Sequence, residues 1–108
     1  MTLLQQRDLK RQQRRLQVYE ETRSRLKSAL GDLLPSQPVI LFGSLTRPGV
    51  FNDRSDIDLA LEKEPSHLNT WQLTAALMQQ LDRPVDVVIL PKCRFREKIM
   101  REGERWTP

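Results

Sequence analysis

Three aspartates stand in this chain where carboxylates are costly unless something positive answers them. Ser55-Asp56-Ile57-Asp58-Leu59-Ala60-Leu61 alternates, so Ile57, Leu59 and Leu61 share one face of a strand and Asp56 and Asp58 the other. Same-face neighbours on a strand lie about 6.5–7 Å apart at the backbone, within range for two carboxylates to converge on one or two cations. Without a cation, each would disfavour ionisation of the other. Asp86 interrupts a second apolar run, Val85-Asp86-Val87-Val88-Ile89-Leu90, on the face it shares with Val88 and Leu90. Three carboxylates on adjacent strands suit magnesium, which takes oxygen ligands and keeps waters that substrate phosphates can replace.

Gly43-Ser44 follows the apolar run Pro38-Val39-Ile40-Leu41-Phe42. Glycine lets the backbone turn there and approach a phosphate closely. The serine hydroxyl and nearby amides can donate to phosphate oxygens, the more so if a short helical turn begins at that point. Singly these signals are ordinary, since an Asp-X-Asp is commonly a solvated turn and a Gly-Ser commonly just ends a strand. Their order gives the specificity: strand and Gly-Ser, then a strand with two acids, then a strand with a third.

The elements that must position these residues read as follows. From Leu4 to Leu30 there is no Pro or Gly, and Leu9, Leu16, Tyr19, Leu26 and Leu30 recur at helical spacing, which predicts a long helix ended by Gly31 and Pro35. Strands are expected at Pro38–Phe42, Ser55–Leu61 and Val85–Leu90. Between the last two, a helix capped by Ser66 would turn Leu68, Trp71, Leu73, Leu77 and Leu81 to the core. Phe95, Ile99 and Trp106 mark a final amphipathic helix. The order α-β-β-α-β-α, with its long N-terminal helix, predicts an α/β (α+β) fold in which helices flank a small mixed sheet of three or slightly more strands. Residues 1–108 are expected to form one domain.

Bulk properties narrow the function classes. No apolar run approaches the roughly 20 residues of a membrane helix, and the first residues lack the pattern of a secretory signal, so a cytoplasmic protein without a membrane partner is expected. Cys93 is the sole cysteine, which excludes a disulfide framework and a cysteine zinc site. The formal charge is +4, with Arg7, Lys10, Arg11, Arg14, Arg15, Arg23, Arg25 and Lys27 crowding the first quarter. That crowding fits a solvated helix face, an acidic partner or a polyphosphate. A nucleic-acid module would rest on this helix alone, with neither interleaved surface aromatics nor a reading motif, so direct nucleic-acid binding is not expected. His67 reads as a surface residue beside a helix start. Trp71 and Trp106 have the spacing of core or interface residues.

Leu41-Phe42-Gly43-Ser44, Ser55-Asp56-Ile57-Asp58-Leu59 and Val85-Asp86-Val87-Val88 together resemble the DNA polymerase beta-like nucleotidyltransferase superfamily. Within it the chain is similar to the minimal nucleotidyltransferases, the MNT antitoxins paired with HEPN toxins. The resemblance is strong over residues 38–90 and extends to the outer helices by order and length. It implies that Gly43 and Ser44 bind the triphosphate of ATP and that Asp56 and Asp58 hold Mg2+. Asp86 would complete the metal site and help activate an acceptor hydroxyl. The loop after the serine departs from the family pattern: Leu45-Thr46-Arg47-Pro48-Gly49 replaces a small residue, Arg and Gly, and the eleven residues between Ser44 and Asp56 make it slightly long. By position Arg47 would still contact the nucleotide. A chain this short carries no lobe for its acceptor, so a folded protein is the expected one. The resemblance implies a hetero-oligomer with a cognate HEPN ribonuclease toxin, buried against basic and apolar helical surfaces and silenced by AMP transfer to a tyrosine. A non-catalytic antitoxin that blocks the toxin by binding, and transfer to another acceptor, are the alternative readings.

Overall fold

A threonine at position 2 and a glutamine at position 5 start the first helix with a reciprocal cap. Thr2 Oγ1 accepts from the Gln5 amide at 3.1 Å, and Gln5 Oε1 accepts from the Thr2 amide at 2.9 Å. In the computed structural model, which describes residues 1–108, this helix, α1, spans Leu3–Leu33. It runs through Gly31 rather than ending there. Glycine costs a helix interior about 1 kcal/mol, less than the roughly 2 kcal/mol from burying a leucine, and the extra turn delivers Leu34 fully into the core. The strands are β1 (Val39–Phe42), β2 (Ile57–Leu61), β3 (Val85–Ile89) and β4 (Glu104–Trp106). Helix α2 (Thr70–Leu81) precedes β3, and α3 (Arg96–Glu102) precedes β4. Two 3-10 turns, Gly43–Thr46 and Leu90–Lys92, follow β1 and β3.

The sheet order is β3-β2-β1-β4, with β2 and β3 parallel and the other pairs antiparallel. Val39, Leu41, Ile57, Leu59, Leu61 and Val85 face one side and are buried against α1 and α2 through Leu26, Leu30, Leu73 and Leu77. On the other side Ile40, Ala60, Leu90 and Ile99 form a small second cluster. With only seven residues, α3 covers part of that second face and leaves the rest open.

Several details differ from the sequence expectation. Asn69, not Ser66, caps α2, in a box with Gln72 (2.8 and 3.0 Å), and Trp71 is 85% exposed, about 200° around the helix from the buried Leu73. Trp106 lies on a fourth strand instead of the last helix: Val39, Ile40 and Leu41 pair with Trp106, Arg105 and Glu104. Leu9 and Leu16 are exposed, because nothing before Val18 reaches the sheet; Val18, Thr22 and Ala29 join Leu26 and Leu30 in the buried stripe. The free half of α1 helps draw the molecule out to 54 × 28 × 19 Å.

Two features weld the β4 edge. Arg23 on α1 donates to the Leu45 carbonyl in the first 3-10 turn at 2.9 Å, pairs with Glu104, and lies over the Tyr19 and Trp106 rings at 5.0 and 5.1 Å. Burial works against ionisation of Glu104, but hydrogen bonds from Trp106 and Arg23 outweigh it and hold the carboxyl below its ordinary range. At the α3–β4 junction, a Cβ on Gly103 would overlap Ile40 Cγ2 and stand 2.5 Å from the Ile99 carbonyl oxygen. Gly103→Ala should therefore cost about 1–3 kcal/mol, the usual range for overpacking, read as a lower urea midpoint at constant slope. An unchanged midpoint would show that the strand is not held as described.

Candidate active site

Strand register brings the chemistry together. Phe42 pairs with Asp58 across β1–β2, and Asp58 pairs with Asp86 across β2–β3, so the two aspartates sit side by side on the open face of the sheet, on strands about 4.8 Å apart. Both line one cleft of about 480 Å³. Gly43, Thr46 and Arg47 form one wall, and Phe95, Lys98 and Glu102 come from the α3 side.

Gly43 is the hinge of the site. It adopts φ +75°, a left-handed conformation that glycine takes without penalty, and so bends the chain directly out of β1 into the 3-10 turn. A Cβ there would overlap Asp58 Oδ2 and lie 3.2 Å from Asp58 Cγ. The turn thus rests against the carboxylate with no room for a side chain. Thr46 Oγ1 donates to the Gly43 carbonyl at 2.7 Å, and the Arg47 amide donates to the Ser44 carbonyl at 3.0 Å, which closes the turn.

The loop that follows is pinned despite its length. Phe51 is fully buried, and Arg83 stacks on its ring at 4.7 Å. Arg83 also donates to the Asn52 and Ser55 carbonyls at 3.2 and 2.9 Å. The Ile57 amide then reaches the Pro84 carbonyl at 3.0 Å, fixing the entry of β2 beside β3.

Burial raises the Asp58 pKa, and the nearby Asp86 and Asp56 carboxylates raise it further. Asp56 lies one residue before β2, exposed, and does not line the cleft; Ser44 is half-buried in the turn, also outside the lining. Of the sequence-selected residues, Gly43, Arg47, Asp58 and Asp86 meet in the cleft. No three His, Cys, Asp or Glu side chains stand close enough to share one ion. A pair of carboxylates is nonetheless a sufficient protein donor set for magnesium, which is commonly held by one or two carboxylates, waters and substrate phosphates. Burial first, and then repulsion from Asp86 and Asp56, raises Asp58, and a divalent cation would offset both, so the donors fit.

Sequence reasoning passed over Thr46, Cys93, Lys98 and Glu102. Thr46 stood inside the altered loop after Ser44 but carried no role of its own there, and Cys93 had no partner motif. Lys98 and Glu102 flank the core residue Ile99 on α3, and their place above the sheet depends on the unexpected return of β4.

The fold and cleft define a class: a small mixed α/β sheet with a glycine turn set against paired acids, the architecture of nucleotidyltransferases. The chain belongs to the polymerase beta nucleotidyltransferase family, whose model, "Polymerase beta, Nucleotidyltransferase", matches residues 26–105. No curated protein matches the sequence. Among solved structures, the chain is similar to one in the crystal structure of a toxin-antitoxin with AMP-PNP, at 27% identity and a TM-score of 0.59, over 79% of this chain and 73% of that one. A mutant of the toxin-antitoxin MntA-HpeT is similar at 26% identity, TM-score 0.58, over 80% and 72%. The toxin-antitoxin MntA-HepT, at 24% identity, TM-score 0.56, over 82% and 73%, shares the fold.

Proposed function

We propose that residues 1–108 form one nucleotidyltransferase domain acting as an antitoxin, which transfers AMP from ATP to a tyrosine hydroxyl of a cognate HEPN ribonuclease toxin. The observation that carries the transferase part is the contact between the Gly43 turn and Asp58, in register with Asp86. Similarity to toxin-antitoxin structures, one of them with AMP-PNP, supports the partner and the nucleotide.

The residues divide the work. Amides of the Gly43–Thr46 turn and the Ser44 hydroxyl bind the triphosphate, and Arg47 adds charge from the same wall. Asp58 and Asp86 would hold Mg2+, which would supply charge neutralisation on the phosphates and acidify a hydroxyl, while Asp56, outside the cleft, adds its negative field to theirs. In the transfer the tyrosine oxygen bonds to the α-phosphorus as the bond to pyrophosphate breaks, and Asp86, exposed at the cleft, is placed to take the hydroxyl proton. Since α3 covers only part of this face, a protein acceptor can approach it and bring its own docking surface. Exposed Leu9, Leu16 and Trp71 offer apolar anchors for such a partner. No helix is long and apolar enough to cross a membrane.

The separation of Asp56 from the cleft favours one other reading, an antitoxin that blocks by binding alone. Incubation with magnesium, ATP and the candidate toxin, followed by intact-mass measurement, decides between them. Addition of AMP units to the toxin is expected. A stable complex in which neither chain gains mass would rule out the transferase reading and leave the blocker.

A further inference from the structure

The surplus charge of this protein is not spread over the fold. Residues 1–17 carry five cations, Arg7, Lys10, Arg11, Arg14 and Arg15, against Asp8 alone; that surplus of four equals the whole chain's +4, and the residues from 18 onward balance. All five lie on the free half of α1, exposed. Their spacing of three, four and seven residues places them along one side of the helix, over about 12 Å at 1.5 Å per residue.

The structure gathers them around one groove of about 330 Å³, completed by Asn52 and Asp53. Two of the five anchor the helix to the loop: Arg14 pairs with Asp53 at 3.0 Å, and Arg15 donates to the Gly49 carbonyl at 3.4 Å. Arg7, Lys10 and Arg11 form no ion pair. With the helix start fixed by the Thr2 cap, the backbone that carries these free cations is already formed before any ligand arrives.

No apolar side chain lines this groove. Protein interfaces do use arginine, but set among apolar and aromatic residues at their centre, whereas nucleic-acid interfaces are polar, wet and strongly positive, as this groove is. We propose that this groove binds the phosphodiester backbone of a nucleic acid without reading its sequence. The sequence offered no base-reading motif, and backbone contact needs none. The absence of aromatics here also excludes base stacking as a contribution.

The test is fluorescence anisotropy of a labelled single-stranded RNA and a duplex of equal length, titrated with the full chain at several salt concentrations. With three to five phosphate contacts, the single-strand affinity should fall with a log–log slope of about −2 to −3.5, about 20- to 130-fold between 50 and 200 mM salt. Arg7→Glu/Lys10→Glu/Arg11→Glu should abolish binding with its circular-dichroism melt unchanged. Lys27→Glu/Lys63→Glu/Arg101→Glu, an equal change of net charge elsewhere, should keep most of it. Equal losses in the two triple variants, or no binding at 50 mM salt, would overturn the proposal. Displacement of RNA by poly-glutamate at equal charge concentration would also overturn it, in favour of an acidic protein surface. Asp58→Asn should bind RNA normally, so this result stands or falls apart from the transferase reading.

Discussion

Asp58→Asn is expected to reduce nucleotidyl transfer by at least about a thousandfold while leaving the protein at least as stable as the parent at neutral pH. The activity loss corresponds to about 4 kcal/mol, within the several kcal/mol that a correctly held cation contributes to phosphoryl chemistry. The stability half follows from the raised pKa of Asp58, caused first by burial and then by Asp86 and Asp56. A carboxyl whose folded pKa lies above its unfolded one favours folding while protonated. That contribution is full below the unfolded pKa and is lost as pH rises through the folded value. Asparagine keeps the shape and never ionises. Thermal melts from pH 4 to pH 7.5 in a chelator should therefore show the parent losing ground to the variant as pH rises. Magnesium should restore the parent and leave the variant unmoved. A variant that keeps a tenth of parental activity, or that melts lower than the parent at pH 7 in chelator, would remove Asp58 from the role given to it.

How much of this was legible in the sequence depends on the range of the interaction that decides each feature. Period-two alternation in Ile57–Leu61 and the apolar run Val85–Ile89 are local patterns, and both strands formed with Asp58 and Asp86 on the face expected of them. The turn at Gly43 was legible for the same reason, because glycine at a strand end is a local signal. What escaped was decided at long range. Glu104–Trp106 is a three-residue strand whose existence depends on pairing with β1, some sixty residues earlier in the chain. Without it, nothing in Arg96–Glu102 indicates that Lys98 and Glu102 border the cleft. The free half of α1 escaped differently. Leu9 and Leu16 continue the helical stripe, and only the extent of the sheet shows that the stripe has nothing to cover there. Trp71 is a matter of helical angle: about 200° from Leu73, it falls outside the buried row of Leu73, Leu77 and Leu81, which their spacing already implies.

Gly43→Ala and Gly49→Ala should separate backbone strain from site geometry. Both glycines have left-handed φ, +75° and +89°, so alanine at either position costs about 1–2 kcal/mol. Their surroundings differ. A Cβ at Gly49 meets nothing within 4 Å, whereas one at Gly43 overlaps the Asp58 carboxylate. That carboxylate is the end of a side chain and can swing aside, so Gly43→Ala should still fold, with a melting loss close to that of Gly49→Ala. The displaced Asp58 can no longer stand beside Asp86 against the turn, and a misplacement of about 1 Å costs roughly a hundredfold in rate. Gly43→Ala is therefore expected to lose at least about a hundredfold in kcat/KM and to bind ATP more weakly in the presence of magnesium. Gly49→Ala should keep activity within a few fold of the parent. Matching activities for the two variants would mean that the close approach of the turn to Asp58 has no part in the chemistry, whatever it contributes to the fold.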